Sequence, residues 1–133
     1  MKAVTWVALA SIRNYISVML IYYAHCIAIY NTAQERRDLA ALTMFGNVIN
    51  PNSKECSDRY KAQGMAYFQQ FSATCDAVAF RALPDGSIPS GVATEVQWFK
   101  DAGKTVLELP SQFLRRVLTV EQTREYLREI GNR

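Results

Sequence analysis

Ile16-Ser-Val-Met-Leu-Ile-Tyr-Tyr-Ala24 is a β-rich run uninterrupted by glycine or proline. A strand that is apolar on both faces belongs in a parallel sheet covered by helices on each side, so this stretch predicts the first core strand of an α/β fold. The following segments keep the alternation. Thr32 with Glu35 three residues on has the form of a capping box for a helix from Ala33 to Phe45, and Gly46 stands where that helix would stop. Asn47-Val-Ile-Asn50 reads as a second strand closed by Pro51, and the polar stretch from Asn52 to Asp58 as a surface loop. Met65, Phe68, Phe71 and Ser72 recur at helical spacing within Tyr60 to Thr74, ahead of a third strand, Asp76-Ala-Val-Ala-Phe80. Pro84-Asp85-Gly86 marks a turn in a loop or small hairpin. Ser90 is placed to cap a helix from Gly91 to Ala102, which Gly103 ends, and Lys104-Thr-Val-Leu-Glu-Leu109 supplies a fourth strand terminated by Pro110. Thr119 with Gln122 caps a last amphipathic helix through Ile130. The expected fold is α/β: a single-domain, Rossmann-like (flavodoxin-like), doubly wound parallel sheet of four to five strands with helices on both faces.

The chain has 133 residues, which suits one domain, 1–133. Half of them are hydrophobic, enough for a core and too many for a disordered chain. Fifteen basic against twelve acidic residues leave a net charge of +3, too little for a nucleic-acid backbone to be an expected partner. Cys26, Cys56 and Cys75 are odd in number and widely spaced, which argues against a disulfide framework and a zinc site and fits a reducing, cytoplasmic setting. With His25 as the only histidine, no site needing two imidazoles is expected, and no metal is implied. Residues 1–18 stand apart as an N-terminal extension. The run from Ala3 to Ala10 invites a signal-peptide reading, but Arg13 interrupts it, and an extra helix on the domain or a translation start upstream of Met19 fits better. A membrane span needs about 20 consecutive apolar residues, so no membrane is expected as a partner.

In an open parallel sheet, ligands bind beyond the carboxyl ends of the strands. The residues placed there are Tyr23, His25, Cys26 and Tyr30 after the first strand, Arg81, Asp85 and Ser87 after the third, and Ser90, Gly91 and Glu95 on the helix that follows. Neither a G-x-G-x-x-G fingerprint nor a Walker sequence is present, so no dinucleotide or other cofactor is implied. Glu95 flanks the stripe Val92, Val96, Phe99, where a carboxylate needs either a functional reason or the help of the helix macrodipole. His25, with a pKa ordinarily near about 6.5, is a candidate substrate contact or a structural polar cap. Glu35-Arg36-Arg37-Asp38 reads as a solvated helix face, and the cysteines as small apolar fillers.

Asp85-Gly-Ser-Ile-Pro-Ser-Gly-Val-Ala-Thr-Glu95 followed by Trp98-Phe-Lys-Asp-Ala-Gly-Lys-Thr-Val106 resembles the nucleoside 2-deoxyribosyltransferase superfamily. Leu20-Ile-Tyr-Tyr-Ala-His25, Val48-Ile-Asn-Pro51 and Cys75-Asp-Ala-Val-Ala-Phe80 are similar, in order, to that family's first three strands. The resemblance implies cleavage or transfer at the N-glycosidic bond of a nucleoside or nucleoside 5′-monophosphate, with Glu95 as nucleophile and a covalent glycosyl-enzyme intermediate. It also implies that Ser90 meets sugar or 5′-phosphate, with the amides of Gly91 and Val92 favouring an anion, and that the protein is a homo-oligomer, dimer or higher. Tyr67 and Phe68 stand where the transferases carry a further acidic residue, so the match assigns no general acid; Asp85 and Tyr23 are the candidates, and Tyr23, His25 and Ser87 are expected to line the substrate. A noncatalytic nucleotide-binding module of the same fold is the alternative.

Overall fold

The computed structural model describes residues 19–111 and 116–132; the N-terminal extension lies outside them. β1 (Met19–Ala24) is central. The helix α1 (Ala33–Leu42) leads to β2 (Gly46–Ile49); α2 (Lys54–Gln63) and α3 (Met65–Ser72) lead to β3 (Ala77–Phe80). The short β4 (Ser87–Ile88) precedes α4 (Ser90–Asp101), β5 (Thr105–Glu108), β6 (Arg116–Val117) and α5 (Val120–Glu129). Four strands form a parallel sheet in the order β2-β1-β3-β5, the doubly wound α/β arrangement, and β4 pairs in parallel with β6 beside it.

β1 is buried between two layers because its alternate side chains leave opposite faces. Tyr22 and Ala24 pack with Cys56, Phe68, Val92, Val96 and Phe99, so α2, α3 and α4 lie on that face. Ile21 and Tyr23 pack with Leu42 and Ala79, which puts α1 on the other. The direction of winding reverses between β1 and β3, and the crevice at their carboxyl ends is where this topology places a ligand.

Several local expectations change. Gly46 does not stop a helix; it begins β2, where an added Cβ would sit 2.2 Å from the Met19 carbonyl oxygen, so only glycine lets the strands approach there. The predicted loop from Asn52 to Asp58 is largely helix: Ser53 caps α2 by accepting the Cys56 amide at 3.2 Å, and Gly64, with φ 66°, separates α2 from α3. The loop after β3 forms no hairpin, since β4 pairs with the distant β6. Pro89, not Ser90, stands at the N-cap of α4, and Ser90 is the helix's first residue. The capping box of α5 is complete at Thr119 and Gln122.

Lys104 explains the Gly-Lys pair after α4. Gly103, with φ 70°, turns the chain, and the ammonium donates to the carbonyls of Ser72 (3.3 Å), Ala73 (2.9 Å) and Cys75 (2.7 Å), satisfying the end of α3. Lys104→Met keeps the stem and deletes the three donors. It should cost about 2 kcal/mol, as expected for hydrogen bonds to a charged group, measured by urea unfolding; an unchanged midpoint would refute the clip.

Candidate functional site

Two polar clusters lie at the carboxyl end of the sheet, one on each face. On the α4 face, the Tyr22 hydroxyl donates to Glu95 Oε2. Val92, Glu95, Val96 and Phe99 form the buried stripe of α4, so Glu95 occupies a core position where an apolar residue would serve packing better. Its residue is only 7% exposed. Among the described residues Tyr22 is the hydrogen-bond donor to this carboxylate, and no buried side-chain oxygen is left without a partner, so Oε1 keeps contact with solvent. Burial pushes the carboxyl from 4.5 to about 7, and the Tyr22 hydrogen bond opposes that rise. Burial, followed by the neighbouring Glu95 charge, drives the Tyr22 phenol far above its ordinary value, so it serves as a donor and stays protonated.

On the α1 face each carboxylate has several donors. Tyr23 donates to Asp38 Oδ2 at 2.6 Å, and Arg81 grips the same carboxylate with Nε (2.9 Å) and Nη2 (2.6 Å) while donating to the Pro110 carbonyl. Gln34 adds a fourth donor to Asp38 at 2.9 Å. Burial works to raise the Asp38 pKa, and these donors together bring it below the usual carboxylate value. His25 stacks on Tyr23 with ring centroids 3.7 Å apart and pairs with Glu35 at 2.8 Å. Glu35-Arg36-Arg37-Asp38 is therefore not a solvated face: Glu35 and Asp38 share the buried side of α1 with Leu42.

The structure separates the residues expected to gather round Glu95. Tyr22, which the sequence reading passed over, meets Glu95, whereas Tyr23 and His25 point to the opposite face. Asp85 Oδ1 accepts the amide (2.9 Å) and hydroxyl (2.5 Å) of Ser87, an Asx turn that holds the loop before β4. Ser87 itself is fully buried. The Ser90 amide donates to Thr123 Oγ1 at 3.0 Å, which ties the start of α4 to α5 and leaves the Gly91 and Val92 amides, the ones expected to favour an anion, outside that contact. Gly91 is half-buried, and no atom lies within 4 Å of where its Cβ would be. Tyr30 is a neighbour of this site that the sequence reading named only in passing; its phenol lies within electrostatic reach of both Glu95 and Glu35.

Cavities of about 400, 360 and 350 Å³ open elsewhere on the surface, and Glu95 lines none of them. The last lies on the α1 side, against Arg81, Gln34 and Pro110. Among the described residues no group of three His, Cys, Asp or Glu side chains is arranged to hold a metal ion, and no helix is long and apolar enough to cross a membrane. Comparisons with protein-family models, with curated proteins and with solved structures return no match.

The Glu95 carboxyl sets a pH dependence of stability. The folded chain keeps this proton up to about pH 7 and the unfolded chain releases it near 4.5, so the native state binds more protons between those values and loses stability as pH rises through them. The full penalty, about 3 kcal/mol, applies above the upper value. Glu95→Gln removes it. Relative to the parent chain, this variant should gain about 3 kcal/mol between pH 4 and pH 8 in urea unfolding; parallel pH profiles for the two chains would show that Glu95 ionises normally.

Proposed function

We propose that the protein cleaves or exchanges the N-glycosidic bond of a nucleoside or nucleoside 5′-monophosphate, with Glu95 as the nucleophile. The observation that carries this reading is the division of labour on one carboxylate: Tyr22 holds Oε2, and among the described residues none donates to Oε1, which keeps contact with solvent at the end of the sheet where this topology binds ligands. The family resemblance in Asp85 to Glu95 supplies the substrate class, and the geometry supplies a plausible attacking group.

The chemistry follows that of a retaining glycosidase. Oε1 attacks the anomeric carbon, the C–N bond electrons pass to the departing base, and the base takes up a proton from solvent water. A glycosyl ester on Glu95 results. Water then attacks the same carbon and releases a proton to solvent, giving free sugar and the regenerated carboxylate, or the nitrogen of a second base attacks and loses its proton in the same way to give a new nucleoside. The Tyr22 hydrogen bond orients the carboxylate and stabilises it again when it leaves the sugar. Burial makes the ion more reactive by withholding water from it.

The noncatalytic alternative draws on two observations. Glu95 lines none of the three cavities, and Ser90, which the family resemblance would offer to sugar or phosphate, is engaged by Thr123 through its amide (3.0 Å) and hydroxyl (3.5 Å). Incubation with a 2′-fluoro nucleoside analogue separates the readings: a mass increase on the peptide bearing Glu95 supports the nucleophile, and ligand binding without modification supports the module.

Glu95→Ala should abolish base release with the fold retained, as read by chromatography of free base and by circular dichroism; full activity in the folded variant would remove Glu95 from the mechanism. Tyr22→Phe should lower kcat by about 10- to 100-fold, the equivalent of one hydrogen bond to a charged group. Because the carboxylate is the attacking form, kcat/KM should climb with pH to a plateau above about 7. A profile that instead falls through neutrality would assign Glu95 the role of an acid.

A further inference from the structure

The loops that follow β1 and β2 meet at a single carboxylate. Glu35 Oε2 pairs with His25 Nε2 at 2.8 Å, and Oε1 accepts the Asn31 amide at 3.0 Å. The Asn52 side-chain nitrogen lies 3.0 and 2.9 Å from the two Glu35 oxygens and 3.1 Å from Asn31 Oδ1. Asn52 is held in turn by its own amide, which donates to Asn50 Oδ1 at 3.0 Å. Asn31 has φ 63°, a left-handed conformation that asparagine tolerates better than most residues and that the surrounding bonds maintain.

This is more than a helix cap needs. The Thr32 hydroxyl already accepts the Glu35 amide at 3.2 Å, but the Glu35 side chain does not return to Thr32 as a capping box requires. It reaches past the cap to three residues on two loops. Burial works to raise its pKa, and the His25, Asn31 and Asn52 donors bring it below the ordinary carboxylate value, so Glu35 is an ion in the folded chain. On the other side of the ring, His25 Nδ1 lies 3.0 Å from the Tyr23 carbonyl, which can only accept. The acceptor at each nitrogen favours the doubly protonated imidazole, but burial is the larger effect and holds the His25 pKa below its ordinary value.

The clamp connects to the Glu95 site through Tyr30 and α2. Tyr30, next to Asn31, has its ring centroid 4.9 Å from that of His25 and its phenol within electrostatic reach of both Glu35 and Glu95. After Asn52, Ser53 caps α2, whose Cys56 is buried in one cluster with Tyr22 and Val92. We propose that Glu35 is a positioning residue for the Glu95 site: it ties His25 and Asn31 after β1 to Asn52 after β2, and so sets the loop that carries Tyr30 and the start of α2, whose Cys56 packs in one cluster with Tyr22. The role rests on the reading of Glu95 as the reacting group; the clamp itself does not.

His25 is the only histidine, so its ring nitrogens give one set of signals in a long-range ¹H–¹⁵N spectrum of the full chain. The groups facing it are Glu35, Asp38, Tyr23 and Tyr30. Glu35→Gln removes one charge and keeps the shape. The His25 titration midpoint should then fall by about one pH unit, and the KM for nucleoside should rise about tenfold with kcat within about threefold, since rim placement acts on binding. Asn52→Ala, which leaves the His25–Glu35 pair in place, should raise KM in the same way and serves if the first variant fails to fold. A stationary His25 midpoint, or a KM unchanged in either folded variant, overturns the proposal. A parent chain that releases no base from any nucleoside sinks the Glu95 reading and with it the positioning role, while the midpoint still tests whether the clamp exists.

Discussion

Adjacent tyrosines at the end of a strand buried on both faces impose a requirement that the surrounding polar structure meets. Tyr22 and Tyr23 are both fully buried, and the pleat sends their rings in opposite directions. A buried phenol hydroxyl without a partner costs on the order of 1–3 kcal/mol, so each face must supply an acceptor. Each supplies a carboxylate: Glu95 from α4 on one side and Asp38 from α1 on the other. The helices are thus fixed to the central strand by hydrogen bonds as well as by apolar contact.

The two carboxylates differ in everything else. Asp38 is neutralised by the bidentate Arg81 and further held by Gln34 and Tyr23, an arrangement that stabilises the ion and leaves it little capacity for chemistry. Among the described residues Glu95 has one neutral donor and no cation at hydrogen-bond distance, and burial raises its pKa to about 7. An underpaired buried carboxylate is a poor structural choice and a good functional candidate. Glu35 belongs with Asp38 in this respect: it is fully engaged, and its contribution is to join segments.

The parallel sheet was legible because β1 carries unbroken apolar sequence and because turn and cap signals separate the later elements. α2 was not, since only Cys56 along it is buried and a helix polar almost all round has no periodicity to read. Gly46 was misread because glycine marks both helix ends and close strand contacts, and only the Met19 carbonyl 2.2 Å from its missing Cβ distinguishes them. Glu35 and Asp38 looked solvated because charge normally marks the outer face of a helix. Their spacing with Leu42 was the available clue, as residues three and seven apart share a face.

Sequence by itself determined the α/β class, the alternation of strands with helices, the cap of α5 and the unusual position of Glu95 beside an apolar stripe. These depend on local periodicity and on which residues satisfy helix ends, and both are written along the chain. Tertiary structure decided which tyrosine meets Glu95, that Asp85 and Ser87 bond to each other, and that His25, Asn31 and Asn52 converge on Glu35. Partners 73 and 17 residues apart are brought together by sheet order and pleat phase. A one-residue change of phase exchanges the two faces, and so exchanges Tyr22 for Tyr23 at the site.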